Sequence, residues 1–263
     1  MEITFLGTGT SHGVPPLGCM MDDYADCPKG VCRKSLTDAR YRRTRTSILV
    51  RKNDKTLLAD VSSDFREQAL TNKIKEIDAV LISHGHIDHF GGLPDIRSYT
   101  NEKPVRVYAS GETIHNVKTA FSYMFDLPQY CGGGVPHLDM IEINGKREIA
   151  GFTVMPVPVV HGRLKGCLGF RIDNTAYVPD VKYIEPENEK LLKGLDCLIL
   201  NCLRDKKEHS THLILPQSIE LSRRLAPKRA FFIHMTHDID YAVDSKELDS
   251  WMEFSYDGQT VTI

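Results

Sequence analysis

Residues 79–89 read Ala79-Val80-Leu81-Ile82-Ser83-His84-Gly85-His86-Ile87-Asp88-His89, an apolar run that ends in four metal-ligand side chains within six positions. The apolar part reads as a strand, so the polar cluster is held at a sheet margin rather than on a free tail. Neutral imidazole suits zinc and similar ions, and a carboxylate adds a harder oxygen. One six-residue loop cannot wrap four donors around a single ion without strain. The spacing suggests two neighbouring ions, His84 and His86 on one, Asp88 and His89 on the other.

Further along the chain, three donors each follow an extended, β-rich segment, the context that delivers a side chain to a sheet edge. Residues 152–160 lead into His161, residues 175–179 into Asp180, and residues 229–233 into His234. With these donors in this order, the His-x-His-x-Asp-His string resembles the signature of the metallo-β-lactamase superfamily, and the resemblance extends over the whole chain. It implies that His161 completes the first ion's ligands, His234 completes the second's, and Asp180 bridges both. Asp60, at the end of residues 55–59, matches the superfamily's first Asp and is expected to orient the histidine loop by taking an imidazole N–H. Two divalent ions about 3.5–4 Å apart share a water, lower its pKa toward roughly 7 and clamp a substrate oxygen.

Length and composition are compatible with that reading. The 263 residues are 41% hydrophobic and 26% charged, enough for a sizeable core and unlike a disordered segment. A net charge of −2 gives no whole-molecule field to attract nucleic acid or an anionic membrane. The basic run Arg40-Tyr41-Arg42-Arg43-Thr44-Arg45 reads as a solvated face. No apolar span of membrane length exists, and the opening residues 2–6 read as a strand rather than a secretory signal. Seven cysteines, an odd number, argue for thiols or metal ligation over a disulfide frame. A cytoplasmic protein is expected, and a homodimer is left open.

Strands are expected at residues 3–6, 47–51, 56–60, 79–82, 105–109, 140–143, 152–159, 168–172, 175–178, 197–200 and 230–234, with the segment 76–83 bringing the chain to the histidine loop. Helices are expected at 63–72, 111–125, 187–195 and 216–225. Asn144-Gly145 reads as a turn between flanking strands, and residues 253–263 as a tight hairpin around Asp257-Gly258. Gly7-Thr8-Gly9-Thr10 lacks the spacing of a phosphate loop and reads as a turn leading toward the site. The expected class is α/β (α+β): two mixed sheets face to face with helices outside, the four-layer αββα sandwich of the superfamily, as one domain over 1–263.

A loop rich in Pro and Gly, residues 13–46, holds Cys19, Cys27 and Cys32. His237, three residues beyond His234, could supply a fourth ligand, making a Cys3His structural zinc site that staples the loop to the core. Cys131, Cys167, Cys197 and Cys202 read as small core or loop residues. Gly13-Val14-Pro15, Gly18-Cys19, Arg42-Arg43 and His234-Met235-Thr236-His237 resemble the phosphodiesterase branch acting on phosphoribosyl 1,2-cyclic phosphates, related to ribonuclease Z. The cysteines are more widely spread here, and Ile233 stands where that branch has Thr.

That resemblance implies a phosphodiesterase acting on a small cyclic phosphate or nucleotide-like diester through a metal-bridging hydroxide. Its cofactors are two zinc or manganese ions, Asp88 and Asp180 belong to its reacting centre, and its partner is a small molecule rather than stably bound nucleic acid. The departing alkoxide needs a proton donor outside the ligand set. His212 aligns best with the branch's catalytic histidine, and His209 is the runner-up. Residues 123–137, rich in glycine, read as a lid. Competing readings are a tRNA 3′-processing nuclease, a thioester hydrolase, and a non-hydrolytic binder like pyrroloquinoline quinone biosynthesis protein B.

Overall fold

The computed structural model describes residues 1–125 and 134–263. Most of the expected lid lies at 126–133, outside the described residues. Six successive strands build the first sheet: β1 (Glu2–Gly7), β2 (Ser47–Lys52), β3 (Lys55–Ala59), β4 (Ala79–Leu81), β5 (Val105–Ala109) and β6 (Leu138–Glu142). The next seven build the second: β7 (Arg147–Ile149), β8 (Phe152–Pro158), β9 (Leu168–Ile172), β10 (Thr175–Val178), β11 (Cys197–Asn201), β12 (Arg229–Ile233) and β13 (Met252–Phe254). The last strand, β14 (Thr260–Thr262), returns to the first sheet beside β1.

Each sheet is antiparallel in one half and parallel in the other. β1, β2 and β3 run as a meander, its second turn made by Asn53-Asp54 with Asn53 at φ 54°. From β3 to β6 the pairing is parallel, and the helices Phe65–Thr71 and Gly111–Ala120 cover the outer face. In the second sheet β10 to β13 are parallel, with the helix Leu215–Leu225 outside. Strands covered on both faces read as unbroken apolar runs, which is why Cys197-Leu198-Ile199-Leu200 shows no alternation. Between the sheets lies a core that includes Phe5, Ile48 and Leu57 from one side and Phe170, Tyr177 and Phe231 from the other. Two further apolar clusters sit under the outer helices, so the four-layer αββα arrangement is present.

Three local expectations are corrected. Residues 253–263 do not form a hairpin: β13 lies parallel to β12 in one sheet, and β14 antiparallel to β1 in the other. Each three-residue strand finds an open edge, and the Asp257-Gly258 turn crosses between the sheets. Asp257 fastens that crossing by accepting from the backbone N–H and the hydroxyl of both Thr8 and Thr44. Asn144-Gly145 likewise carries the chain from the first sheet to the second. The hairpin turn lies at Ala150-Gly151, both at positive φ, after the unforeseen strand β7. The arginine run is a solvated face only in part: Arg40 and Arg42 are exposed, but Arg43 is 1% exposed and donates to Thr236 O, Ile239 O and the Tyr241 hydroxyl. Its guanidinium also lies over the Tyr241 ring, tying the Cys-containing loop to the segment after β12.

Candidate metal centre

Strand ends deliver the site from both sheets. Asp60 follows β3, the His84–His89 loop follows β4, His161 follows β8, Asp180 follows β10 and His234 follows β12. Asp60 and His234 sit just past their strands at φ 59° and 58°, a left-handed backbone that costs a non-glycine residue on the order of 1–3 kcal/mol. The bend turns each side chain out of the strand and into the cluster. His84, His89, His161, Asp180 and His234 are all buried, while His86 is exposed at the rim.

Asp180 is the hub. Its Oδ2 lies 3.5 Å from His84 Nε2, 3.5 Å from His161 Nε2 and 3.7 Å from His89 Nε2, and its Oδ1 lies 3.0 Å from His234 Nε2. His84, His86, His161 and Asp180 offer one set of ligating atoms within 4.8 Å of one another, and Asp88, His89 and His234 offer a second. Asp180 also falls in a third set, with His212 and His234. His212 Nε2 is 3.2 Å from Asp180 Oδ2, and its Nδ1 faces Thr211 Oγ1 at 2.9 Å and His209 Nδ1 at 3.1 Å. His212 therefore stands against the cluster with His209 behind it.

Asp60 holds an imidazole as expected, joined by Thr211 and Ser83, which were absent from the sequence reading. The His161 Nδ1–H donates to the backbone oxygen of Thr211 at 2.9 Å. The His89 Nδ1–H donates to Asp60 Oδ2 at 2.7 Å. Ser83 gives its hydroxyl proton to Asp60 Oδ2, so its oxygen is left to accept from His84 Nδ1 at 3.0 Å. In all three rings the Nε2 lone pair is thereby turned toward Asp180. Tyr177, from the opposite sheet, donates to the same Asp60 oxygen at 2.8 Å. Its signal in the sequence was a phenol within the apolar strand Ala176-Tyr177-Val178, where the hydroxyl has to find a partner.

Burial holds the pKa of His84 well below the ordinary histidine value, and it brings His161 down to about 4 against the pull of Asp180. Burial alone would also lower His89, but Asp88, Asp60 and Asp180 together raise it. Burial would raise Asp180, yet His234 and His89 draw it well below the usual carboxylate range. His89 Nε2, His234 Nε2 and Asp180 Oδ1 are buried without a hydrogen-bond partner. Such atoms normally carry a desolvation penalty, and a cation among them would remove it, so the donor set fits divalent metal.

A second cluster joins the loop to the core. His237 Nδ1 lies 3.1 Å from Cys19 Sγ, 3.3 Å from Cys32 Sγ and 3.8 Å from Cys27 Sγ. Cys27 Sγ also accepts from the Cys32 backbone N–H, and Val14, Val31 and Tyr41 pack around the group. Burial pushes the Cys19 and Cys32 thiols upward, a bias that a bound cation reverses by taking the thiolates as ligands. Cys167 and Cys197 are buried with thiols pushed up to about 12, and Cys202 is buried and pushed upward too, as expected of inert core residues. Among the described residues no disulfide forms, and no helix is long and apolar enough to cross a membrane.

The model of the beta-lactamase superfamily domain matches residues 55–235, the stretch that carries Asp60, the histidine loop, His161, Asp180 and His234. The chain belongs to the beta-lactamase superfamily. A solved diphosphatase of the PhnP family is 34% identical, covers 100% of this chain with 97% of its own, and superposes with a TM-score of 0.87. That likeness fits the superfamily's phosphodiesterase branch. Zn(2+)-bound PqqB from Methylobacterium extorquens shares the fold at 21% identity and TM-score 0.77, over 100% of both chains. A curated relative from Porphyromonas gingivalis, named octanoyltransferase, is 35% identical over 98% of this chain. This chain spans 51% of that relative's length. The superfamily and the diphosphatase together support a hydrolase.

Proposed function

We propose that the chain is a dinuclear-metal phosphodiesterase that hydrolyses a small cyclic phosphate or nucleotide-like diester. The observation that carries this is the convergence of two donor groups on one carboxylate, Asp180, in the lining of a pocket of about 240 Å³. His84, His86 and His161 would hold one ion, Asp88, His89 and His234 the other, and Asp180 both. Zinc or manganese held there supplies Lewis acidity toward a phosphoryl oxygen and a water acidified toward roughly pH 7. The pocket's size and the net charge of −2 favour a small molecule over a tRNA. The diphosphatase relative supports phosphoryl chemistry, and the unpaired buried thiols support a reducing compartment, the cytoplasm.

His212 lines the pocket, and Thr211 and His209 fix its Nδ1 side so that Nε2 faces inward. We assign it the proton passed to the departing alkoxide. His212→Ala should then slow diesters with alkyl leaving groups by about 10²-fold, while p-nitrophenyl esters, which leave without a proton, lose far less. An equal loss on both would make His212 a binding residue. The metal count is a separate test: three ions per purified chain are expected, two removable by a mild chelator and one retained by Cys19, Cys27, Cys32 and His237. A reproducible single ion would exclude this layout.

A further inference from the structure

We infer that Tyr177 is a positioning residue for the metal centre, acting through Asp60. The inference rests on the metal reading proposed above and adds to it a residue from the opposite sheet. Asp60 is fully buried and accepts four hydrogen bonds, from the Ser83 backbone N–H at 2.8 Å, the Ser83 hydroxyl at 2.9 Å, His89 Nδ1 at 2.7 Å and the Tyr177 hydroxyl at 2.8 Å. Three of these donors come from the strand-and-loop segment that carries the histidines, so by themselves they leave Asp60 free to move with that segment. Tyr177 alone reaches it from β10, and Asp180 lies three residues further along the same chain.

The phenol ring cannot drift. It is fully buried in the inter-sheet core with Phe170, Ile199 and Phe231. Its hydroxyl is therefore a fixed point against which the carboxylate is set. Asp60 then fixes the His89 ring directly and the His84 ring through Ser83 Oγ. The Tyr177–Asp60 bond links the loop donors of one sheet to the strand that leads to Asp180 in the other, beside a backbone bond from Leu168 N–H to Ser83 O at 2.9 Å. Partners behind metal-binding histidines are worth roughly 10–100-fold in metal affinity.

Tyr177→Phe keeps the ring and removes the hydroxyl. Metal-stripped wild type, the Phe variant, Asp60→Asn and the double variant would be titrated with Zn2+ against a chromophoric chelator, with a thermal melt of each metal-free protein alongside. The Phe variant should melt like the wild type and bind an exchangeable ion about tenfold more weakly. On the Asp60→Asn background the same change should add less than twofold, because its route is already cut. Unchanged affinity in the single variant, or an undiminished tenfold loss on the Asp60→Asn background, would overturn the inference. A wild type that takes up no exchangeable zinc would instead overturn the metal reading, and this inference with it.

Discussion

Replacing Asp180 with Ala should lower turnover of bis(p-nitrophenyl) phosphate by roughly 10³-fold or more. The side chain offers its two oxygens to opposite sides of the cluster, Oδ1 to His234 and Oδ2 to His84, His161, His89 and His212. Losing it removes the only group common to both proposed ligand sets and leaves several buried imidazoles facing one another. Metal-based charge stabilisation is worth several kcal/mol, and each ~1.4 kcal/mol is tenfold in rate, which gives the size of the effect. Initial rates at saturating Zn2+ or Mn2+ measure it, with metal content assayed on the same sample. Undiminished turnover would rule out the dinuclear site.

Cys32→Ser should release the thiolate-held ion and lower the melting temperature by about 10 °C. Cys32 is fully buried, and its Sγ lies 3.3 Å from His237 Nδ1, at the centre of a small cluster that is separate from the main core. Structural zinc contributes about 10–16 kcal/mol in isolated zinc-finger peptides. Here Arg43, Lys29–Asp244 and Lys34–Asp240 also anchor the loop, so a smaller loss of about 3–5 kcal/mol is expected, and each kcal/mol shifts a domain of this size by roughly 2–4 °C. Calorimetry together with metal analysis checks this. An unchanged melt with all ions retained would remove the structural role from the cysteines.

The donor residues were legible because each follows a strand, and strand ends in this fold converge. His84, His86, Asp88, His89, His161, Asp180 and His234 all fall where sequence order and apolar runs placed them. Cys19, Cys27 and Cys32 lie beside His237, as the count of donors in a loop poor in apolar residues suggested. What escaped was long-range pairing. Residues 253–263 have the local chemistry of a hairpin, but two open sheet edges offered more hydrogen bonds than the segment could offer itself. Arg43 looked solvent-facing because its partners, Thr236 O and Ile239 O, lie about 195 residues away in the chain. Ser83 and Tyr177 were hidden because a hydrogen bond to Asp60 leaves no periodic trace.

The donors are divided, four on the loop after β4 and three at the ends of β8, β10 and β12. On the proposed reading, a chain extending only through β6 carries the four loop donors and completes neither ion's ligand set. Uptake of the proposed ions would then follow the docking of the two sheets. Held there, the proposed ions would join donors of the two sheets around Asp180, so that metal loading and final assembly would go together.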